Sequence, residues 1–144
     1  MTNHAPTILI VDDDEGHAIL IRENLEAAGL TNRMEHFRDG QAILDFFGKD
    51  AHRVAQSYLI LLDIRMPKVD GIEVLRRLKA DPELCKLPVI MLTTTDDSRE
   101  VERCYELGCN VYIQKPVDYE RFAEAIQRLG LFVTLLLLPE VSMS

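Results

Sequence analysis

The chain has 144 residues, 47% of them apolar and 28% charged, which is the balance of a globular domain with a single sizeable core. Its formal net charge of −8 argues against the sequence-independent phosphate contacts by which proteins bind nucleic acids. The N-terminus lacks the features of a signal peptide and no apolar run is long enough to span a bilayer, so we expect a cytoplasmic protein with no membrane partner. The three cysteines include no CxxC pair, which predicts free thiols.

Five short apolar segments alternate with five segments of helical periodicity along the chain. The predicted strands cover residues 7–11, 32–37, 57–62, 88–93 and 110–114. The predicted helices cover residues 15–30, 40–48, 71–80, 97–108 and 119–130, and Gly29, Gly108 and Gly130 are read as signals that end helices. Strands that alternate with helices predict a parallel sheet covered by helices on both faces.

Polar side chains stand where the predicted strands end. Asp12 and Asp13 follow the first strand, Asp63 follows the third, Thr93 ends the fourth and Lys115 follows the fifth. In an open parallel sheet these ends share one edge, where ligands bind. Clustered carboxylates repel one another, and a magnesium ion together with a lysine would relieve that repulsion. An aspartate placed there is predicted to act as an oxygen nucleophile that forms an aspartyl phosphate.

The residues around these positions read "ILIVDDDE", "LLDIRMPKVDG", "PVIMLTTT" and "YIQKPV". Together they resemble the receiver domains of two-component response regulators, and the resemblance covers residues 7–130. It implies an α/β fold of the flavodoxin-like, CheY-like type: a doubly wound, five-stranded parallel sheet in the order 2-1-3-4-5. It also implies a phosphorylated signalling protein that catalyses its own phosphotransfer and dephosphorylation, and not an enzyme with a separate substrate.

The resemblance assigns the acidic residues to phosphorylation and to Mg²⁺. It implies that Asp63 accepts a phosphoryl group from a histidine kinase. It implies that Asp13 and Asp63 bind Mg²⁺ directly, that Asp12 does so through water, and that the backbone carbonyl of Arg65 is a further ligand. Many receivers carry a smaller or polar residue in place of Arg65, so we expect an altered rate of autodephosphorylation, of unassigned sign.

The resemblance assigns the remaining polar residues to phosphate binding and switching. Thr93 and Lys115 would hold the phosphoryl group. Tyr112 would turn inward as Thr93 moves, which would change the surface formed by the fourth helix, the fifth strand and the fifth helix. A cis bond between Lys115 and Pro116 is also implied.

The segment after Gly130, "LFVTLLLLPEVSMS", is predicted to be an extended apolar arm over residues 131–144, too short to be an output domain. Left in water it would be an exposed apolar patch, so it either folds back on its own domain or packs on a second subunit. We favour a homodimer arm built from Leu131, Phe132, Val133, Leu135, Leu136, Leu137, Leu138 and Pro139. With "LKADPELCKLPVIMLTTTDD", the tail resembles the stand-alone regulators that accompany bacterial phytochromes, which implies a red-light-sensing histidine kinase as partner.

Two other functions remain open. A phosphatase of the haloacid-dehalogenase type would use Asp12 as its nucleophile and would leave Asp63 without a role. A receiver-like dimeric module that binds partners independently of phosphate would use none of this chemistry.

The four histidines are scattered without the spacing of metal ligands, so surface or structural roles are expected for them.

Overall fold

The computed structural model describes residues 6–49, 52–53, 57–94, 96–116 and 118–136, with the backbone alone for 134–136. The strands are β1 (Thr7–Val11), β2 (Met34–Phe37), β3 (Tyr58–Leu62), β4 (Val89–Thr93) and β5 (Val111–Gln114). The helices are α1 (Glu15–Ala27), α2 (Gly40–Phe47), α3 (Gly71–Ala80), α4 (Ser98–Leu107) and α5 (Tyr119–Leu136), and a short 3-10 helix covers Leu84–Lys86. Within these ranges, no helix combines the length and the hydropathy needed to cross a membrane.

The five strands form one parallel sheet in the order β2-β1-β3-β4-β5, which confirms the fold expected from the resemblance. The central strands β3 and β4 are buried at every position, and β1 at all but its first. The edge strands β2 and β5 are only partly buried. Continuous apolar runs therefore mark the strands that have a neighbour on each side and a helix layer on each face.

Each face of the sheet has its own apolar core because successive side chains of a strand point to opposite faces. In β1, Leu9 and Val11 pack with residues of α2, α3 and α4, whereas Ile8 and Ile10 pack with residues of α1 and α5. All three cysteines are free, as predicted, and Cys104 is buried among the side chains of the first core. The strand order thus brings the ends of β1, β3, β4 and β5 to one edge between two helix layers.

The chain leaves β1 for α1 through an aspartate cap. Asp14 is the N-cap, and its carboxylate accepts the backbone N–H of His17 at 3.1 Å. That hydrogen bond lowers the pKa of Asp14. A negative charge is also favourable at the N-terminus of a helix. Helix α1 ends at Ala27, earlier than the predicted residue 30, and Gly29 follows with φ +101°.

The predicted end of α5 at Gly130 was wrong, because this helix continues to Leu136. Gly130 lies against α1, where a Cβ atom would stand 2.6 Å from the Cβ of Ala28. The glycine therefore permits close helix packing and does not terminate the helix. The apolar stripe of α5 also continues past it: Phe122, Leu129 and Val133 all belong to the same core cluster.

The extended arm was consequently a wrong prediction for residues 131–136. Val133 is 2% exposed and packs on its own domain, so it cannot serve the dimer arm to which it was assigned. Leu131 and Phe132 are 58% and 47% exposed. Leu135 and Leu136 continue the helix, and Leu137, Leu138 and Pro139 lie outside the described residues. A boundary between the receiver and its extension at residue 130 stays a prediction.

The expected cis bond between Lys115 and Pro116 was also wrong, since the described part of the chain contains no cis peptide bond. Trans is the preferred form of bonds that precede proline.

Candidate functional site

The strand ends bring four buried polar side chains to one edge of the sheet. Asp12 follows β1, Asp63 follows β3, Thr93 ends β4 and Lys115 follows β5, and each is 7% exposed or less. Backbone hydrogen bonds carry the ladder into the site: the Asp63 N–H donates to Val11 at 3.0 Å, and the Lys115 N–H donates to Thr93 at 2.7 Å. The sequence prediction that these four residues share one edge is confirmed.

Three carboxylates at this edge form a candidate metal site. One carboxylate oxygen from each of Asp12, Asp13 and Asp63 lies within 4.8 Å of the others, and Asp13 is the exposed member of the three. A cluster of hard oxygen donors that opens to solvent at one side fits Mg²⁺ or Mn²⁺, which keep several water ligands.

The Lys115 ammonium lies between the carboxylates. Its Nζ is 2.5 Å from Asp12 Oδ2, 3.3 Å from Asp63 Oδ2 and 3.2 Å from His17 Nδ1. Burial raises the pKa of Asp12, and the charge and hydrogen bond of Lys115 oppose that rise. The other oxygens of these two acids accept backbone N–H groups: Asp12 Oδ1 that of Asp14 at 2.9 Å, and Asp63 Oδ1 that of Ile64 at 2.8 Å.

The Thr93 hydroxyl is an exception to this saturation. Its residue is 0% exposed, and its Oγ1 has no hydrogen-bond partner within the described residues. A hydroxyl that is buried without a partner is unfavourable by about 1–3 kcal/mol. Such a group is expected where a ligand supplies the missing acceptor.

Tyr112 lies on β5 beside β4, where it pairs in register with Met91. Its side chain is partly buried and packs on the core under α2, α3 and α4. Burial raises the pKa of its phenol to about 12, with smaller contributions from Cys104, Glu100 and Asp63. The ring therefore lies near the acidic site in an intermediate degree of burial, which suits a side chain that moves inward, and its switch role stays a prediction.

Arg65 does not point into the acidic cluster. Its side chain is 64% exposed, and its Nη2 lies 2.8 Å from Glu100 Oε1 in the first turn of α4. The guanidinium thus links the loop after Asp63 to α4. The role of its backbone carbonyl as a metal ligand stays a prediction.

Sequence reasoning missed two residues that shape the site. Gly71 opens α3 where a Cβ atom would stand 1.9 Å from the Asp63 carbonyl oxygen, so only glycine lets the loop fold back at this point. The signal was its position directly after an N-cap aspartate, Asp70. His17 was assigned a surface or structural role, yet its ring contacts Lys115. Its place in the first turn of the helix that leaves the acidic edge was the available signal.

Comparison with known proteins agrees with this geometry. The family model of the response regulator receiver domain matches residues 8–127. The chain belongs to the response regulator receiver family. The haloacid-dehalogenase alternative, which needed Asp12 as nucleophile, has no support from this match.

Relatives of known structure share nearly the whole chain. A response regulator receiver domain from Rhodospirillum rubrum is 48% identical, with a TM-score of 0.85, and the match covers 93% of this chain and 97% of that one. Response regulator Rcp1 of Synechocystis sp. is 32% identical over 91% of this chain and 90% of its own length. The structure of its Mn²⁺-bound form has a TM-score of 0.81, with 88% of this chain and 93% of that one covered.

A third relative is a phytochrome response regulator. The structure of the phosphorylated cyanobacterial phytochrome response regulator RcpA is 28% identical, with a TM-score of 0.82, and covers 90% of this chain and 94% of that one. The resemblance to phytochrome-associated regulators that the sequence indicated is therefore confirmed at the level of relatives.

Proposed function

We propose that this receiver accepts a phosphoryl group from a histidine kinase on Asp63 in a Mg²⁺-dependent reaction. The observation that carries the proposal is the joint burial, at one edge of the sheet, of an aspartate, a lysine hydrogen-bonded to it and a threonine hydroxyl for which the described residues supply no partner. These groups are the nucleophile, the cation and the hydrogen-bond donor that phosphoryl transfer uses.

In the proposed reaction a carboxylate oxygen of Asp63 attacks the phosphorus of a phosphohistidine. The new O–P bond forms as the P–N bond breaks, and the imidazole leaves with the electron pair. Lys115 and Thr93 then donate hydrogen bonds to phosphoryl oxygens, since an ammonium and a free hydroxyl both lie at this edge. Hydrolysis of the acyl phosphate by water would return the carboxylate.

The acidic cluster fits the cation that this chemistry uses. Asp12, Asp13, Asp63 and the carbonyl of Arg65 would hold Mg²⁺. When bound, the ion neutralises negative charge on the carboxylates and on the transferring phosphoryl group. The Mn²⁺-bound form of the relative Rcp1 supports this assignment.

We propose that phosphorylation is read out at the surface of α4, β5 and α5. A phosphoryl oxygen would offer Thr93 an acceptor that the described part of the chain does not supply, so the residue would be held in a new position. Tyr112, half-buried on the neighbouring strand, would then turn inward. A switch of this kind needs the phosphoryl group to stabilise one of two arrangements over the other.

Intact-protein mass after exposure to acetyl phosphate, with and without Mg²⁺, tests the proposal. The wild type should gain one Mg²⁺-dependent phosphoryl adduct, and Asp63→Asn should gain none. Asp45→Asn, an exposed aspartate on α2, is the matched control and should be labelled like the wild type. If the wild type stays unlabelled, the chemistry is absent and the phosphate-independent binding module becomes the better proposal.

The partner kinase is proposed from the relatives. RcpA is described as a phytochrome response regulator, so we propose a red-light-sensing histidine kinase as the phosphoryl donor. Transfer from a purified, autophosphorylated bacterial phytochrome should be faster than transfer from a histidine kinase of unrelated input. Equal rates from both kinases would contradict the assignment.

We also propose a homodimer that uses the end of α5. Leu131 and Phe132 are exposed apolar side chains on neighbouring positions of this helix. Light scattering on Leu131→Glu and Phe132→Glu variants should show a shift from dimer to monomer. Ile19→Glu, which changes an exposed apolar residue of α1, should leave the mass unchanged.

A further inference from the structure

We infer that His17 is a positioning residue, which holds the Lys115 ammonium in place by accepting a hydrogen bond from its third N–H group. The inference rests on the proposed phosphorylation of Asp63. An ammonium has three protons to donate. Two of them have carboxylate acceptors, Asp12 and Asp63, and the third has His17 Nδ1 at 3.2 Å.

The geometry decides which imidazole nitrogen carries the proton. A proton on Nδ1 would point at an ammonium that has no acceptor, so the lone pair of Nδ1 must face Lys115 and the proton must sit on Nε2. Asp14 Oδ2 lies 3.7 Å from the same nitrogen, which is beyond hydrogen-bond distance and does not favour the other tautomer. Asp14 and Lys115 are the charged groups that contact the imidazole within the described residues.

Two contacts hold His17 in this orientation, one through its backbone and one through its ring. The backbone N–H of His17 is held by the Asp14 cap. The ring meets the ring of Phe122 on α5 edge to face, with centroids 5.3 Å apart and planes at 77°. Phe122 is itself 3% exposed, and the Lys115 ammonium lies 5.9 Å from its centroid. The acceptor is therefore anchored by two helices and not by a mobile loop.

His17 differs from the other two acceptors in how phosphorylation and metal binding would affect it. Asp63 would become an acyl phosphate and Asp12 would hold the metal, so the hydrogen bonds of both to the ammonium would change. The imidazole is neutral in this tautomer and takes part in neither change. It would keep Lys115 directed at the position where phosphoryl oxygens develop charge, which is the arrangement that lowers a barrier.

Two substitutions separate the acceptor from the shape of the side chain. His17→Asn places an amide oxygen at the position of Nδ1 and so retains an acceptor. His17→Leu retains an apolar body against Phe122 and removes the acceptor. A cavity of about 230 Å³ lined by Gly16, His17, Leu20, Pro116, Tyr119 and Phe122 adjoins the ring. It gives a leucine side chain room, so both variants should fold.

The first measurement is the initial rate of adduct formation with acetyl phosphate and Mg²⁺. His17→Leu should slow it by about three- to tenfold, because a hydrogen bond to a charged group is lost at a partly exposed position. His17→Asn should restore the rate to within about twofold of the wild type, since its oxygen can accept the same proton. Equal rates for His17→Leu and the wild type would overturn the inference.

The second measurement needs neither phosphate nor metal. In mildly alkaline solution, ¹⁵N NMR of the imidazole should show His17 with the proton on Nε2 and the lone pair on Nδ1. Lys115→Met removes the donor and should shift His17 toward the mixture of tautomers seen in a free imidazole. A proton on Nδ1 in the wild type would overturn the inference whether or not the variants fold.

The two proposals fail in distinguishable ways. A wild type that forms no adduct contradicts the phosphorylation of Asp63 and leaves the NMR result to judge His17. A wild type that forms the adduct, with an unaffected His17→Leu variant, contradicts the role of His17 alone.

Discussion

The site has two halves that differ in how completely their polar groups are satisfied. On what we call the lysine side, Asp12, Asp63, His17 and Lys115 are joined by hydrogen bonds of 2.5 to 3.3 Å. On what we call the threonine side, the Thr93 hydroxyl has no partner within the described residues. Arg65 and Glu100 pair at the surface of that same side, 64% and 22% exposed.

The difference indicates which half is already assembled and which half would respond to the phosphorylation that we propose. A buried ammonium that donates hydrogen bonds to three acceptors is expected to keep its position until one of those acceptors changes. A buried hydroxyl without an acceptor is unfavourable and gains free energy when one arrives. We therefore expect substitutions on the lysine side to lower the free energy of unfolding, and removal of the threonine hydroxyl to raise it.

The largest effect is expected for Lys115→Met, which keeps the apolar stem and removes the charge. Asp12 and Asp63 would be left buried without their cation, so the free energy of unfolding should fall by about 3 kcal/mol at neutral pH. Urea denaturation in the absence of divalent ions measures it. A loss below about 0.5 kcal/mol would fit a surface pair and would contradict a preassembled lysine side.

The same variant has a defined pH dependence. Burial already raises the pKa of Asp12, and the ammonium opposes that rise, so its removal raises the pKa further. A carboxyl group whose pKa is higher in the folded state binds its proton more tightly there, so the folded state recovers stability as pH falls through that pKa. The deficit of Lys115→Met relative to the wild type should shrink from neutral to mildly acidic solution. A constant deficit would contradict this account.

The next effect concerns the packing of α1 against α5. These helices bear on the lysine side because His17 belongs to α1 and its ring packs on Phe122 of α5. Gly130→Ala would bring a methyl group to within 2.6 Å of the Ala28 Cβ. The strain should lower the free energy of unfolding by about 1–2 kcal/mol, even though alanine favours helix formation. Adding Ala28→Gly should recover part of the loss, because it restores the space. A more stable Gly130→Ala single variant would mean that the two helices do not pack this closely.

Thr93→Val tests the threonine side and has the opposite expected sign. Valine has nearly the same shape and lacks the hydroxyl, so the free energy of unfolding should rise by about 1 kcal/mol. The rate of adduct formation should fall, because the donor to the phosphoryl group is gone. Thr93→Ser is the control: it keeps the hydroxyl, loses a buried methyl group and should be less stable. A destabilised Thr93→Val would show that the hydroxyl has an acceptor in solution.

The sequence predicted much of this arrangement, for reasons that particular residues make clear. Continuous apolar runs marked β1, β3 and β4, and the acids that follow two of them marked the edge, because a carboxylate after a buried strand needs a partner. Asp63 and Lys115 were therefore predicted to meet. The order of the strands came from the family resemblance.

The errors arose where a residue acts on a distant part of the chain. A glycine such as Gly130 commonly ends a helix, and the neighbouring sequence does not show that its missing side chain makes room for Ala28. His17 lacks the spacing of a metal ligand, and its contact with Lys115 spans 98 positions of sequence. Local pattern alone contains neither contact.

The smallest effect on stability is expected for Arg65→Ala on the threonine side. The pair of Arg65 with Glu100 is exposed, so its loss should change the free energy of unfolding by less than about 0.5 kcal/mol. The pair nevertheless ties the loop after Asp63, the proposed phosphoacceptor, to α4. Its removal should therefore shorten the lifetime of the adduct by about two- to fivefold, as water gains access.

Glu100→Ala, which removes the acceptor of Arg65, should act in the same direction as Arg65→Ala, and the double variant should add little, because either change alone breaks the same link. Decay of the isolated adduct, followed by mass, measures all three lifetimes. Shorter lifetimes in these variants would show that Arg65 slows autodephosphorylation, and that it does so through its pair with Glu100 on the threonine side. Unchanged lifetimes would mean that the pair does not limit the approach of water, and the arginine would then act, if at all, through its backbone carbonyl.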